Sequence, residues 1–405
     1  MDDDFRGADD SFRAEVREWL HSALTGDFAA VRGLGGPGRE HEAFPERLAW
    51  ERHMAAAGWT CVGWPEEHGG RGASLAQQVV FHEEYARADA PARVNHIGEQ
   101  LLGPTLIAFG TEAQRARFLP PIREVRELWC QGYSEPEAGS DLANVRTRAR
   151  LHGGRWRVDG QKVWTSLAHE SDWCFVLART EEGSARHSGL SYLLVPLRQD
   201  GVTVRPLRQL TGTSEFNEVF FDGALADAAH VVGAPGDGWR IAMATLGFER
   251  GVSTLGQQVG FERELSRLTE LAAGTGALDD PLLRERLARA WEGLELIRLG
   301  ALRSLAGPEE GAAGPGASIG KLVWATWHRE LGELAMAVRG AVGLVAPEGT
   351  PGGLDEWQRL FLFSRSDTIY AGSNEIQRNV IAERVLGLPK EPVGPKTPVS
   401  PKEPA

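Results

Sequence analysis

Asp237-Gly238-Trp239-Arg240, continuing through Phe248-Glu249-Arg250-Gly251 to Gln258, is the stretch from which the rest of the chain can be laid out. Phe248, Val252, Leu255 and Val259 recur at helical spacing, as the apolar stripe of a helix packed on a core would. Helix geometry puts Glu249 about 100° around the axis from that stripe, along a core edge. A carboxylate there is either paired, with Arg250 next door, or available as a base. These residues alone leave both open.

Around this segment the composition is that of an ordinary globular protein. Of 405 residues 42% are hydrophobic, material for large cores in two or three domains. Lys and Arg total 44 against 56 Asp and Glu, a net charge of -12. That balance argues against nucleic acid as a partner, and a basic site for a phosphorylated ligand has to be local. Cys61, Cys130 and Cys174 are widely separated and form no C-x-x-C pair, so neither a zinc site nor a disulfide framework is expected. The acidic start Met1-Asp2-Asp3-Asp4-Phe5 is unlike a signal peptide, and no apolar run reaches about 18 residues. A cytoplasmic protein with no membrane span is the expectation. His68 has no second histidine at metal spacing, and no metal is expected.

From Asp10 to about Ile122 the pattern is helical, beginning with the stripe Phe12, Val16, Trp19 and Leu20. Gly33-Leu34-Gly35-Gly36-Pro37-Gly38 follows no strand and fits no G-x-G-x-x-G frame, so it reads as a linker. The loop Gly63 to Gly72 precedes a helical run from Leu75 to Arg87. After Trp129 the period turns to that of strands: Arg155 to Val158 behind the turn Gly153-Gly154, then Trp173 to Leu177, Tyr192 to Val195, Val202 to Val204 and Val219 to Phe221. Helices resume from Gly238 to about Leu386, interrupted at Gly311 to Gly316 and Pro347 to Gly353. The expected organisation is an α+β chain: a helical domain at 1–125, a β domain at 126–233, a helical domain at 234–389 and a proline-rich disordered tail at 390–405. A sheet-rich wedge between helical domains leaves a cleft for a flat cofactor.

Two segments of the β region concentrate chemistry. Tyr133-Ser134-Glu135-Pro136-Glu137-Ala138-Gly139-Ser140-Asp141 combines hydroxyls, small residues and a proline turn that lets backbone N–H groups approach a ligand. Gly160-Gln161-Lys162-Val163-Trp164-Thr165-Ser166 sets an indole beside two hydroxyls at a strand end. Taken with later segments, both resemble the acyl-CoA dehydrogenase family of flavoproteins. The family's hydroxyl residue, Glu-Pro, then Ala-Gly-Ser-Asp matches Ser134 to Asp141, and its Lys-x-Trp-x-Thr matches Lys162, Trp164 and Ser166. Gly236-Asp237-Gly238 with Ala242-Met243, Glu249-Arg250, and Ile369-Tyr370-Ala371-Gly372-Ser373-Asn374-Glu375-Ile376-Gln377-Arg378 follow in the family's order, over residues 58 to 388.

The resemblance implies a helical N-terminal domain, a middle β domain and a C-terminal four-helix bundle holding FAD. It implies that Gln131, Tyr133, Ser134 and Ser140 line the pyrimidine side of the flavin and the ligand's pantetheine. Trp164 packs on the ring system, Ser166 stands where the family's threonine bonds near the reactive nitrogen, and Thr165, Ser373 and Glu375 complete the cofactor contacts. Ser140, Arg250 and the backbone amide of Ala371 are the implied substrate contacts. The implied reaction is α,β-desaturation of an acyl-CoA thioester, as in fatty acid or sterol side-chain β-oxidation, with an electron-transfer flavoprotein as acceptor.

The sequence departs from the commonest family pattern in three places. Ala371 stands where most members carry the catalytic glutamate; in some members, actinobacterial ones among them, the base sits on the earlier helix before an arginine, which here is Glu249. The Arg-x-x-Phe-Gly segment is replaced by Thr275-Gly276-Ala277-Leu278-Asp279-Asp280, and Gln-x-x-Gly-Gly-x-Gly is reduced to Gly340-Ala341-Val342-Gly343, with Ala337 at the glutamine's place. These segments reach a neighbour's FAD in homo-oligomeric members, so the resemblance implies either a mixed tetramer or a homo-oligomer using other residues. The Gly311 to Gly316 insert and the position of the base point to a large or branched acyl group. Alternatives are a non-catalytic or half-site subunit of a heteromer and a flavin-dependent acyl-CoA oxidase.

Overall fold

The computed structural model of the chain describes the backbone of residues 4–249, 253–305, 315–347 and 353–390, and the side chains of 10–248, 257–303, 316–347 and 353–390. The Glu249 side chain, all of Arg250, the centre of the Gly311 to Gly316 insert and the tail from 391 onward lie outside the described residues.

Five helices open the chain: α1 (Asp4–Ala23), α2 (Phe44–Ala56), α3 (Leu75–Arg87), α4 (Gly103–Phe109) and α5 (Glu112–Arg123). The α1 stripe behaves as its spacing predicts, burying Phe12, Val16 and Leu20 against Trp50, Met54, Trp59 and Phe81. α3 begins where it does because Ser74 and Gln77 cap it reciprocally: Ser74 Oγ accepts the Gln77 N–H at 3.2 Å and Gln77 Oε1 accepts the Ser74 N–H at 2.9 Å. A π-helical turn, Gly98–Leu102, leads into α4.

Eight strands follow: β1 (Trp129–Gly132), β2 (Arg148–His152), β3 (Arg155–Ser166), β4 (Trp173–Arg179), β5 (Leu190–Pro196), β6 (Val202–Leu207), β7 (Phe216–Asp227) and β8 (Val231–Val232). They form one sheet in the order β6-β7-β3-β2-β4-β5-β8, with β1 parallel to β4. A single pair, Arg148 and Arg179, joins β2 to β4. Because the sheet folds over at that joint, β4 and β5 are covered on both faces. Cys174, Val176, Leu193 and Val195 face Trp156, Val158, Val219 and Phe221. Phe175, Leu177, Tyr192 and Leu194 face the helices, against Leu102, Leu106, Ile122 and Ile241. Burial on both faces is why these strands read as unbroken apolar runs instead of alternating ones.

The C-terminal helices are α6 (Gly238–Glu249), α7 (Ser253–Thr275), α8 (Pro281–Leu305), α9 (Pro315–Arg339), α10 (Glu356–Asp367) and α11 (Asn374–Val380). α7 to α10 form a four-helix bundle around Leu265, Leu268, Leu294, Trp324, Leu331 and Leu334. The break between α7 and α8 falls at Gly276, whose φ of +77° only glycine adopts at low cost. α6 packs elsewhere: Ile241 and Ala242 join the core between the sheet and α4. Thr245 is fully buried there and shares a 2.8 Å hydrogen bond with Thr105. The motif Gly236-Asp237-Gly238 explains this seat. A Cβ on Gly238 would lie 2.5 Å from the Ser191 backbone, so only glycine lets the helix start directly on β5. Gly236 N–H donates to Ser191 Oγ at 3.0 Å, and Asp237 Oδ2 accepts the Ala234 N–H at 3.1 Å. Among the described residues no helix is long and apolar enough to cross a membrane.

Candidate active site

The two β-region segments are pinned to each other by one buried lysine. Lys162, fully buried on β3, donates through Nζ to Glu135 Oε1 at 2.8 Å, to the Leu177 carbonyl at 2.8 Å and to the Tyr133 carbonyl at 3.0 Å. All three donors of the ammonium are used, which is what makes its burial tolerable. Glu135 in turn accepts the backbone N–H of Arg146 at 2.6 Å and of Thr147 at 2.9 Å. Burial works against its charge, but Lys162 and these amides outweigh it and hold the carboxyl below the ordinary range. A backbone bond from Val163 N–H to the Ser134 carbonyl, 2.9 Å, finishes the junction. The loop after β1 is thereby locked on the end of β3.

That end of β3 is bulged. Lys162 pairs with Val219 and Thr165 with Asn217, so Val163 and Trp164 together oppose Glu218 on β7. Trp164 sits at φ +59°, is 60% exposed, and meets the Phe216 ring edge-on at 6.1 Å. A bulky residue in the left-handed region stores roughly 1–3 kcal/mol and marks a place where the surroundings impose the geometry. Asn217 braces the residue that follows Trp164. Its buried amide donates to the Thr165 carbonyl at 3.0 Å, and His169 Nδ1 lies 3.1 Å from its Oδ1. The bulge turns a large indole outward that an unbroken strand would alternate with its neighbours. Ser166, beside it, is half-buried.

Gln131 on β1 and Thr165 on β3 carry buried polar atoms, Nε2 and Oγ1, that find no hydrogen-bond partner among the described residues. Other buried atoms share this property, but these two lie on the strands that lead into or carry the two segments, where a bound ligand would complete their bonding. An exposed indole face beside a hydroxyl and an unsatisfied amide fits a flat heteroaromatic ring with carbonyl acceptors, and the residues present therefore fit a flavin. The Tyr133 ring is inside the core, edge-on to Phe175 and Tyr192, so it offers a ligand its backbone and not its ring. Ser134 is half-buried and Ser140 exposed on the same loop.

A second group gathers at the turn into α11. Ala371 and Gly372 have φ of +52° and +82°, and Gln377 Nε2 donates to the Ala371 carbonyl at 2.9 Å. Ser373 caps α11 by accepting the Ile376 N–H at 3.3 Å, and Asn374 is held from α9 by Lys321 at 3.3 Å and Thr326 at 3.2 Å. Glu375 is exposed, its carboxyl held below the ordinary value by a backbone N–H and the Ser373 hydroxyl. The partners of this group are on α9 and α11, whereas Gln131, Trp164, Thr165 and Ser166 are assembled on the sheet and Ser134 on the loop after β1. Glu249 ends α6; its side chain and Arg250 are not among the described residues.

Sequence reasoning missed Asn217, for which nothing local signals a role, and a buried histidine. His328 on α9 places Nδ1 2.5 Å from Asp367 Oδ2 and Nε2 2.9 Å from Glu264 Oε2, and the Tyr370 hydroxyl donates to Asp367 Oδ1 at 2.5 Å. Burial opposes the imidazolium, but the two carboxylates prevail and push its pKa up to about 10. Since this lies above the ordinary 6.5, the stabilisation is whole below pH 6.5 and is lost as pH rises toward 10. Melting temperature is expected to fall as the pH is raised over that interval. His328→Gln is expected to be less stable at neutral pH and flatter across the interval. A wild-type curve as flat as the variant's would remove the charged histidine from the account.

Comparison with known proteins places the chain in a family. Models of the acyl-CoA dehydrogenase N-terminal, middle and C-terminal domains match residues 8–125, 130–224 and 236–386. The chain is 68% identical to the acyl-CoA dehydrogenase IpdE1 of Mycobacterium tuberculosis over 385 residues, 95% of this chain and 99% of that relative. Among solved structures, the Tcur3481-Tcur3483 steroid ACAD superposes with a TM-score of 0.82 at 29% identity, over 95% of this chain and 98% of that one. The ChsE4-ChsE5 complex from Mycobacterium tuberculosis does so with a TM-score of 0.79 at 28% identity, over 95% and 98%. Members of the family are flavoproteins, typically with FAD. With its helical, β and helical segments in the matching order and all three domain models aligned, this chain is an enzyme of the acyl-CoA dehydrogenase family.

Proposed function

We propose that the protein binds FAD and desaturates an acyl-CoA thioester at the α,β position, with Glu249 as the proton acceptor. The observation that carries the reading is the bulge at the end of β3, which holds the Trp164 indole outward beside Ser166. FAD, when bound, supplies the acceptor for the β-hydride. Trp164 would hold the ring system by packing against it, Ser166 and Thr165 would bond its polar edge, and Gln131 and Ser134 would bind its pyrimidine side. Ser373 and Glu375 are proposed contacts from the α11 turn. Ser140 and Arg250 would bind the CoA portion.

Removing an α-proton beside a thioester leaves charge on the carbonyl oxygen, so that oxygen needs a donor in place as the charge develops. The backbone amide of Ala371 is the proposed donor, which does not depend on its side chain. Proton acceptance falls to Glu249, since Ala371 brings no carboxylate. The substrate is proposed to be a bulky, steroid-derived acyl-CoA, and electrons are proposed to leave through an electron-transfer flavoprotein. The likeness to a steroid ACAD supports the steroid part of this reading, and the likeness to IpdE1 the acyl-CoA part.

A mixed oligomer with a related chain is supported by the thinned Gly340 to Gly343 segment and by an apolar outer face on the bundle. On α8, Trp291, Leu296 and Leu299 are 61%, 67% and 56% exposed, and Val323 on α9 is 41% exposed. Patches of this kind mark interaction surfaces. The segment Gly340–Leu344 is a short 3-10 turn whose Val342 is also exposed.

The deciding experiment loads the chain with FAD, alone and mixed with related chains, and follows bleaching of the flavin band on addition of CoA thioesters. Bleaching by a bulky acyl-CoA is the expected outcome. Trp164→Ala is expected to weaken FAD retention by roughly tenfold, from loss of about 0.5–1.5 kcal/mol of aromatic packing plus buried area. Stability should move by less than about 0.5 kcal/mol, the indole being exposed. Flavin taken up but never bleached, with or without a partner chain, would instead support a non-catalytic subunit.

A further inference from the structure

The buried histidine stands where the proposed chemistry makes no use of it. His328 comes from α9, Glu264 from α7 and Asp367 from the last position of α10, while Tyr370 opens the turn into α11. Four elements of the C-terminal region therefore meet in one chain of charge-assisted hydrogen bonds, the class roughly twice as strong as neutral ones. Asp367 is the hub: its side chain is only 2% exposed, and its two oxygens go separately to the imidazole and to the Tyr370 hydroxyl. The Glu264 arm is 39% exposed and correspondingly screened.

The turn that follows is unusual. Ile369 and Tyr370 both donate to the Ser366 carbonyl, at 2.8 and 3.0 Å, and the chain then takes two left-handed residues in succession, the first an alanine. Left-handed alanine is disfavoured by contact between its Cβ and the backbone, and persists only where the surroundings over-determine it. Behind the turn the constraint is visible: Gln377 holds the Ala371 carbonyl, and Asn374 N–H donates to the Thr368 carbonyl at 2.9 Å. Ahead of it, the Tyr370 ring packs near Trp324, centroids 6.4 Å apart, and its hydroxyl is tied to Asp367 Oδ1 at 2.5 Å.

We infer that His328, Asp367 and the Tyr370 hydroxyl form a positioning device for the turn from Tyr370 to Gly372, fixing its backbone against α7 and α9. The catalytic consequence rests on the reading above, in which the Ala371 amide faces the thioester carbonyl; the positioning itself does not. Asp367 acts by giving the hydroxyl a charged acceptor in a fixed place. His328 acts by holding that carboxylate in place inside the bundle, with Nδ1 2.5 Å from Oδ2.

Tyr370→Phe is the informative variant, because it keeps the ring and its packing and removes only the hydroxyl. Amide hydrogen exchange of a peptide spanning residues 366–374 is measured in wild type, Tyr370→Phe and Asp367→Asn, with a peptide around Leu331 and Leu334 as reference. The turn amides are expected to exchange about tenfold faster in both variants, as loss of one such bond implies, and the reference to be unchanged. Unchanged exchange at the turn overturns the positioning role. For the catalytic consequence, kcat on a thioester is expected to fall about tenfold in Tyr370→Phe with KM moved less than about twofold, the pattern of a group that helps only as charge develops. Faster exchange with kcat unchanged overturns that consequence. A wild-type enzyme inert to every thioester sinks the reading under the proposed function, and the exchange result then decides the positioning role by itself.

Discussion

Glu249→Gln is expected to leave FAD bound and to lower thioester turnover by about 10²–10⁴-fold, the usual size of a lost general base. Glutamine keeps the shape and polarity of the side chain but has no site that accepts the α-proton. Binding of the thioester should change little, so the loss should fall on kcat and on kcat/KM alike. The choice of this residue follows from two facts of the chain. Ala371 removes the alternative carboxylate from the α11 turn, and α6, which Glu249 closes, is seated on β5 by Gly238 and in the helix–sheet core by Ile241, Ala242 and Thr245. The first two turns of α6 are held in this way, and the helix carries Glu249 at its other end. Rapid-mixing measurement of flavin reduction by an acyl-CoA gives the rate directly. Equal rates in the variant and the wild type would end the assignment, and another base would have to be sought.

The second large effect concerns stability. Lys162→Met is expected to destabilise the fold by about 3–5 kcal/mol, because it leaves the buried Glu135 carboxylate without its counter-charge. It also leaves the Tyr133 and Leu177 carbonyls without a donor, the very contacts that dock the loop after β1 on β3. Glu135 keeps two backbone N–H bonds, so Glu135→Gln should cost less than the lysine substitution. The double variant Lys162→Met with Glu135→Gln should recover part of the loss, since removing both charges also removes the desolvation each required. Urea denaturation of the four proteins measures all three differences. A Lys162→Met variant within about 1 kcal/mol of wild type would mean that the pair contributes little and that the loop is docked by other contacts.

The two effects separate naturally. Glu249→Gln should alter rate and leave the melting temperature in place, whereas Lys162→Met should lower stability and, through the displaced loop, FAD retention. A single loss of activity would not distinguish them. Rate, flavin content and melting temperature taken together do.

What the amino-acid sequence by itself determined is what depends on neighbours along the chain. The start of α3 at Leu75 follows from Ser74 and Gln77 three residues apart, and the start of β3 at Arg155 follows from the turn Gly153-Gly154. The runs of β4 and β5 were readable as strands because both faces are buried, while β2 went unread because only Ala149 of Arg148-Ala149-Arg150-Leu151-His152 is buried. The family was legible because many short motifs recur in one order, each too common to decide alone. Tertiary structure alone decided the rest, since the interactions concerned are remote in sequence. Lys162 finds its acceptors 15 to 29 residues away, Asn217 bonds the Thr165 carbonyl beside the Trp164 bulge from a different strand, and His328 meets Asp367 and Glu264 at separations of 39 and 64. A buried charge is tolerated only when folding brings its partners to it, and no local pattern of residues records which partners those will be.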